Sequence, residues 1–148
     1  MAKLDPNAVK KAADIIAALA KADRNLAQEA LDDIAKTDAQ LAVDIQFAMY
    51  DFSDLAILSD REMQFLLAQV DRGLLVRALR LSHRSIQQKI LKNLSSRVKT
   101  EVIEESQARG KIPLSKVKSA QKEIVQLALR LEKEGRLQFT SAGQDPMT

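Results

Sequence analysis

Cysteine and tryptophan are both missing from this chain of 148 residues. Without cysteine there is no disulfide and no thiolate metal site. Four phenylalanines and one tyrosine are the whole aromatic complement, so a core must rest on Leu, Ile, Val and Ala. Histidine occurs once, as His83, among Ser82, Arg84 and Ser85. It has no second histidine or cysteine to work with, and no glycine-rich phosphate loop accompanies it, so the chain reads as not an enzyme. The adjacent pairs Asp32/Asp33 and Glu104/Glu105 diverge by about 100° on a helix and do not converge on one ion. No cofactor, metal or small-molecule substrate is expected. No apolar run approaches the roughly 18 residues of a membrane span, and no basic-then-apolar leader opens the chain. The expectation is a soluble, cytoplasmic protein with no membrane insertion.

Scarcity of glycine (four) and proline (three) points the other way, to helix. Asp5-Pro6 reads as an N-cap followed by proline at the first helical position, and Val9, Ala12, Ala13, Ile16, Leu19 and Ala20 continue as a helical stripe. Asp23 opens a second helix with Leu26, Ala27, Ala30, Leu31 and Ile34 inward. Thr37 to Gln40 fits a capping box, and Leu41, Ile45, Ala48 and Met49 mark the third helix. Three short amphipathic helices with tight links resemble one armadillo-type unit over residues 1–50.

Residues 51–140 continue as a second helical domain, and 141–148 read as a flexible tail. Phe52 to Leu58 is a short apolar helix or turn. Ser59 to Glu62 is a strong capping box ahead of Met63, Phe65, Leu66, Leu67 and Val70. Asp71 caps a helix that buries Leu74, Leu75, Ala78 and Leu79 and keeps Arg72, Arg77 and Arg80 outward. Another, from Ser82 to Asn93, buries Ile86, Ile90 and Leu91. Ser115 is the expected cap of the longest helix, which carries Val117, Ala120, Ile124, Leu127, Ala128 and Leu131 and ends at Gly135. Leu137 to Phe139 reads as a short extended piece. No stretch alternates convincingly, so the fold class is all-α.

Between the last two of these helices lies the charged stretch Ser95 to Gly110. Ser95 is a good N-cap, and Gly110 with Pro113 closes the helix. At 100° per residue Arg97, Glu101, Glu104 and Ala108 share one face, with Glu105 beside them. Val98, Val102, Ile103 and Ser106 lie towards the other, thin apolar edge, so the helix should ride on the surface. Charge is uneven along the chain. Residues 1–71 hold 7 basic against 13 acidic side chains, and residues 72–118 hold 12 against 3. Two fields of opposite sign can steer partners.

Several stretches resemble one family in order. Met49-Tyr50-Asp51-Phe52 is similar to a Met-Phe-x-Phe hinge. Phe52 to Asp71 resembles F-x-D-L-x-x-L-D-D-R-x-x-Q-x-L-L-x-x-V-D. Ala78-Leu79-Arg80 stands where the family has Ala-Leu-Lys. Lys89 to Arg97 is similar to K-x-x-x-N-M-S-x-R, and Leu114 to Val117 with Ala120-Gln121 to L-S-x-V and A-Q. The family is the flagellar motor switch protein FliG, in its C-terminal half, and the resemblance covers roughly residues 8–138.

The resemblance implies a rotor component at the cytoplasmic face of the flagellar basal body. It implies charges offered to the cytoplasmic loop of the stator protein MotA for torque, and a role in direction switching and chemotactic motility. Carried over by position, the torque-linked charges fall on Arg80, Arg97, Glu104 and Glu105. Lys111 supplies a charge near Pro113, where the family has arginine. Met49, Tyr50, Asp51 and Phe52 would form the hinge. The implied ring partners are the FliG middle domain and FliM. The family's N-terminal domain and most of its middle domain have no counterpart in these residues. A helical adaptor or scaffold paralogue docked on the ring is an alternative. Nucleic-acid binding through the basic segment is a second and less favoured one, since that segment has no aromatic residue and Glu101, Glu104 and Glu105 interrupt it.

Overall fold

The computed structural model describes residues 5–139, and every regular element among them is a helix. The fold is all-α. The chain divides into two compact units between Asp51 and Phe52. The expected tail at 141–148 lies outside the described residues.

The first unit packs α1 (Pro6–Ala22), α2 (Arg24–Thr37) and α3 (Ala39–Met49) against one another. Each starts at an aspartate whose carboxylate accepts an orphan first-turn N–H: Asp5 from Asn7 at 3.1 Å, Asp23 from Asn25 at 3.0 Å and Asp38 from Leu41 at 3.1 Å. Asp23 and Asp38 also end the preceding helix, their N–H groups donating to Leu19 and Ile34 carbonyls. One extended residue thus closes one helix and opens the next. The cap of α3 is Asp38, not the Thr37–Gln40 box expected from sequence, because only Asp38 has the extended backbone a cap requires. Ala13, Ile16, Ala27, Leu31 and Ile45 form the core. Leu26, expected inward, is exposed, and so is Ala48 on α3. Ala12 and Leu41 are half-buried beside that core.

The second unit opens with a 3-10 helix, Phe52–Ile57, whose buried Phe52 and Leu55 are spaced for three residues per turn. It is followed by α4 (Asp60–Leu67), α5 (Arg72–Leu79), α6 (Arg84–Lys92), α7 (Ser96–Arg109) and α8 (Leu114–Lys133). The Ser59 box is complete: the Ser59 hydroxyl accepts from Glu62 N–H at 3.1 Å, and the Glu62 carboxylate accepts from Ser59 N–H at 2.9 Å. Burial pushes the Glu62 carboxyl up, but bonds from the Ser59 and Gln138 amides and the Ser59 hydroxyl outweigh it and leave its pKa lowered. The fully buried side chains include Leu55, Leu58, Met63, Leu66, Val76, Ile86, Ile90, Val117 and Ile124.

Helix α8 packs mainly on α5. It begins at Leu114, two residues before the start that a Ser115 cap would set. Pro113 is the cap, its carbonyl accepting from Lys116 and Val117, and Ser115 makes no cap bond. The other end of α8 closes with paired bonds, Arg136 N–H to Leu131 O and Gly135 N–H to Glu132 O, both 2.9 Å, with Gly135 at φ +78°. Leu137 and Phe139 are buried in irregular backbone rather than a strand.

Candidate functional site: the charged helix α7

Helix α7 is anchored by little apolar surface. Val102 is its only fully buried residue, and Ile103 stays 39% exposed. Burying one valine contributes about 1.5–3 kcal/mol. Polar ties must therefore hold the helix in place, and they come from α5.

Arg72 of α5 and Arg80, the residue that ends it, reach α7. Arg72 Nη2 lies 2.5 Å from Glu101 Oε2, with both side chains partly covered. Arg80 donates to the Ser106 carbonyl at 2.6 Å and to the Gly110 carbonyl. The first is a last-turn carbonyl of α7, which has no partner within the helix, and the second belongs to the residue that ends it. A cation there also meets the negative end of the helix dipole. Gly110 closes the helix at φ +67°, ψ −140°, backbone that favours glycine. At the other end the Ser95 hydroxyl accepts from Val98 N–H at 3.2 Å.

The five charges expected to face a partner have different surroundings. Arg97 is 87% exposed and donates to Glu101 Oε1 at 3.1 Å. Glu104 is exposed and makes no ion pair among the described residues. Glu105 is half-buried and meets Arg109 loosely, at 3.6 Å. Lys111 is exposed in the connector before α8. Arg80 is half-buried and turned onto its own chain, which corrects the expectation that it stays outward with Arg72 and Arg77. Its fork matches two carbonyls that the end of α7 leaves open. Glu101, expected among the outward charges, is half-buried and sits between Arg72 and Arg97. Its spacing from Arg97 was a visible i,i+4 signal. The Arg72 contact is a tertiary one that no local pattern announces.

Elsewhere the charges are structural. Asp60 on α4 accepts from Asn93 at 3.1 Å and meets Lys89 at 3.1 Å and Lys92 at 3.5 Å on or beside α6. The Asn93 hydrogen bond and the contact with Lys89 hold its carboxyl down at about 2. His83 precedes α6 and makes no side-chain cap bond. Among the described residues no three His, Cys, Asp or Glu side chains are grouped to hold a metal, and no helix is long and apolar enough to cross a membrane. Met49 ends α3, Tyr50 is extended at φ −123°, ψ 139°, and Phe52 is buried in the second unit.

These features define an all-α chain whose surface helix offers fixed charges of both signs. The family model for the FliG C-terminal domain matches residues 32–139, and the chain belongs to this family. It is 34% identical over 139 residues to the flagellar motor switch protein FliG of Pseudomonas aeruginosa, covering 94% of this chain and 40% of that one. For the Aquifex aeolicus protein of the same name the identity is 32% over 137 residues, covering 93% and 40%. The solved structure of full-length Aquifex aeolicus FliG superposes with a TM-score of 0.75 at 30% identity, over 91% of this chain and 40% of that one. A crystal structure of part of Helicobacter pylori FliG gives 0.70 at 27% identity, over 94% and 60%. The chain thus spans about two fifths of the length of the curated relatives it matches.

Proposed function

We propose that this chain is a rotor component of the flagellar motor switch, acting at the cytoplasmic face of the basal body. It presents Arg97 and Glu104 on α7 to the charged cytoplasmic loop of the stator protein MotA. Glu105 and Lys111 contribute at the margin of that face, and Arg80 acts through α7 by fixing its C-terminal end. The observation that carries this reading is α7 itself. It is an exposed helix of a FliG C-terminal-family chain, with a cation and a carboxylate left in water. Exposed ion pairs are worth about 0–1 kcal/mol each, and screening over about 8 Å confines them to close approach. Contacts of that strength form and break quickly, which suits repeated stepping.

In the same reading the first unit docks the chain on the switch ring, against a FliG middle domain and FliM. Residues 49–52 act as the hinge that reorients the charged unit when rotation reverses. Cross-linking positions 50 and 52 should then suppress reversals, and reversals that persist would remove the hinge.

Charge reversal at Arg97 together with Glu104 tests the torque role. Swimming speed should fall while filament number by electron microscopy stays normal and the tagged chain still localises to the flagellar base. Unchanged speed with normal localisation would overturn the torque role and leave a scaffold.

A further inference from the structure

The second unit contains a groove of which the rotor reading uses only Lys111. It is a cavity of about 610 Å³ where the end of α7, the connector to α8 and the exposed flank of α5 meet. Its walls carry Arg77 from α5, Arg109 from α7, Lys111 and Ile112 from the connector, and Lys116 and Glu123 from α8. Four cations face one carboxylate.

Those cations are poorly compensated. Among the described residues Arg77, Lys111 and Lys116 make no ion pair, and Arg109 has only the 3.6 Å contact with Glu105. The two guanidinium groups also converge. A β-carbon placed on Gly73 would lie 3.2 Å from Arg109 Nη2 and 3.6 Å from Arg77 Nη1. Asp71, which caps α5 through Leu74 N–H, brings its carboxylate to the same spot and offsets part of this charge, leaving Lys111 and Lys116 as the cations with neither an ion pair nor this offset. Like charges gathered in a concave site repel one another, and an incoming anion relieves that repulsion.

We propose that this groove binds an acidic segment of a partner polypeptide, taking two or more carboxylate side chains. Its volume suits a few residues of extended chain. Arginine forks match carboxylates bidentately, and Ile112 and Pro113 offer apolar surface to the methylene stem of a glutamate. A nucleic-acid strand fits worse. No aromatic residue lines the groove for base stacking, and Glu101, Glu104 and Glu105 of α7 interrupt the basic surface that a phosphate backbone would track. The proposal shares only Lys111 with the stator reading and does not depend on it.

The test is fluorescence anisotropy with the whole chain and fluorescein-labelled hexaglutamate, with hexalysine and a duplex DNA of equal charge as comparisons. Hexaglutamate should bind at low salt and hexalysine should not. The R77E/K116E variant, shown to be helical by circular dichroism, should bind hexaglutamate at least about tenfold more weakly. K116E alone, at an exposed position, should weaken it in the same direction. R97A/E104A should bind as the parent does, which separates the groove from α7's outward face. Parent-like affinity in folded K116E and R77E/K116E would overturn the proposal. So would loss of binding in R97A/E104A, or tighter binding of the duplex than of hexaglutamate.

Discussion

Replacing Arg80 with alanine tests how α7 is held. The side chain supplies two charge-assisted hydrogen bonds, to the carbonyls of Ser106 and Gly110. Such a bond contributes about 1.5–3 kcal/mol when buried. Arg80 is only half-buried and Gly110 is exposed, so water replaces much of the second bond. Taking the lower end for Ser106, a few tenths for Gly110 and the favourable placement at the helix C-terminus, the loss comes to about 2 kcal/mol. That rivals what Val102 contributes, and is a sizeable share of the roughly 5–15 kcal/mol by which a domain is stable. Urea unfolding followed by far-UV circular dichroism should show the midpoint lowered by about 1 M at unchanged slope. Hydrogen exchange should localise the loss to the amides of α7. Arg80→Lys keeps the charge but not the fork, and should recover about half. Arg97→Ala, at an 87% exposed site with one i,i+4 partner, should cost no more than about 0.5 kcal/mol. If Arg80→Ala stays within about 0.5 kcal/mol of the parent, or Arg97→Ala is the more damaging, the clamp is wrong.

Gly110→Ala places a side chain at φ +67°, ψ −140° and should cost about 1–3 kcal/mol by urea unfolding; space is not the reason, since nothing lies within 4 Å of the added carbon. Ser59→Ala removes the hydroxyl half of the α4 capping box and should lower stability by about 1 kcal/mol, with faster exchange at the Glu62 amide. Asp60 has its folded pKa depressed to about 2 from 3.8, so its contribution is present above about pH 4 and is lost as pH falls towards 2. Asp60→Asn should therefore be less stable than the parent at pH 7, and the gap should close in urea titrations repeated down to pH 2. Arg72→Ala leaves Glu101 with Arg97 alone, so a double-mutant cycle between Arg97 and Glu101 should give a larger coupling energy in that background than in the parent.

Element positions were largely legible because the signals are local. An aspartate ahead of an apolar stripe marks a helix start, as at Asp5, Asp23 and Asp71. The Ser59 box and the Gly110 and Gly135 closures follow from backbone chemistry within four or five residues. The misplacements at Thr37 and Ser115 share one cause. Each has a neighbour, Asp38 or Pro113, whose extended backbone puts the cap one or two residues away. Periodicity also puts Leu26 inward, but a stripe of one helix is buried only as far as its neighbours reach. Arg80 shows the harder limit. An arginine on a surface helix looks the same in sequence whether it faces water or another helix's carbonyls, and the two partners here lie 26 and 30 residues away. What composition gave correctly was the excess of positive charge between residues 72 and 118. It gave nothing about which cations Glu101 and Glu105 neutralise and which stay bare.

The distribution of partners on α7 bears on how a contact can be both specific and brief. Arg97 is held by Glu101, but Glu101 also has Arg72 at 2.5 Å. A carboxylate arriving from another molecule and drawing Arg97 away would leave Glu101 compensated rather than stranded. The exchange trades one exposed pair for another of similar strength, so its net cost stays within the few tenths of a kcal/mol typical of surface pairs. Had Glu101 no second cation, releasing Arg97 would leave a half-buried charge unpaired, which is far more costly. Arg72 therefore does for exchange what Arg80 does for geometry. One keeps the outward arginine easy to give up, and the other keeps the helix that carries it from moving when it is pulled. The rotor function proposed above calls for both, and they come from residues eight positions apart, Arg72 at the start of α5 and Arg80 just past its end.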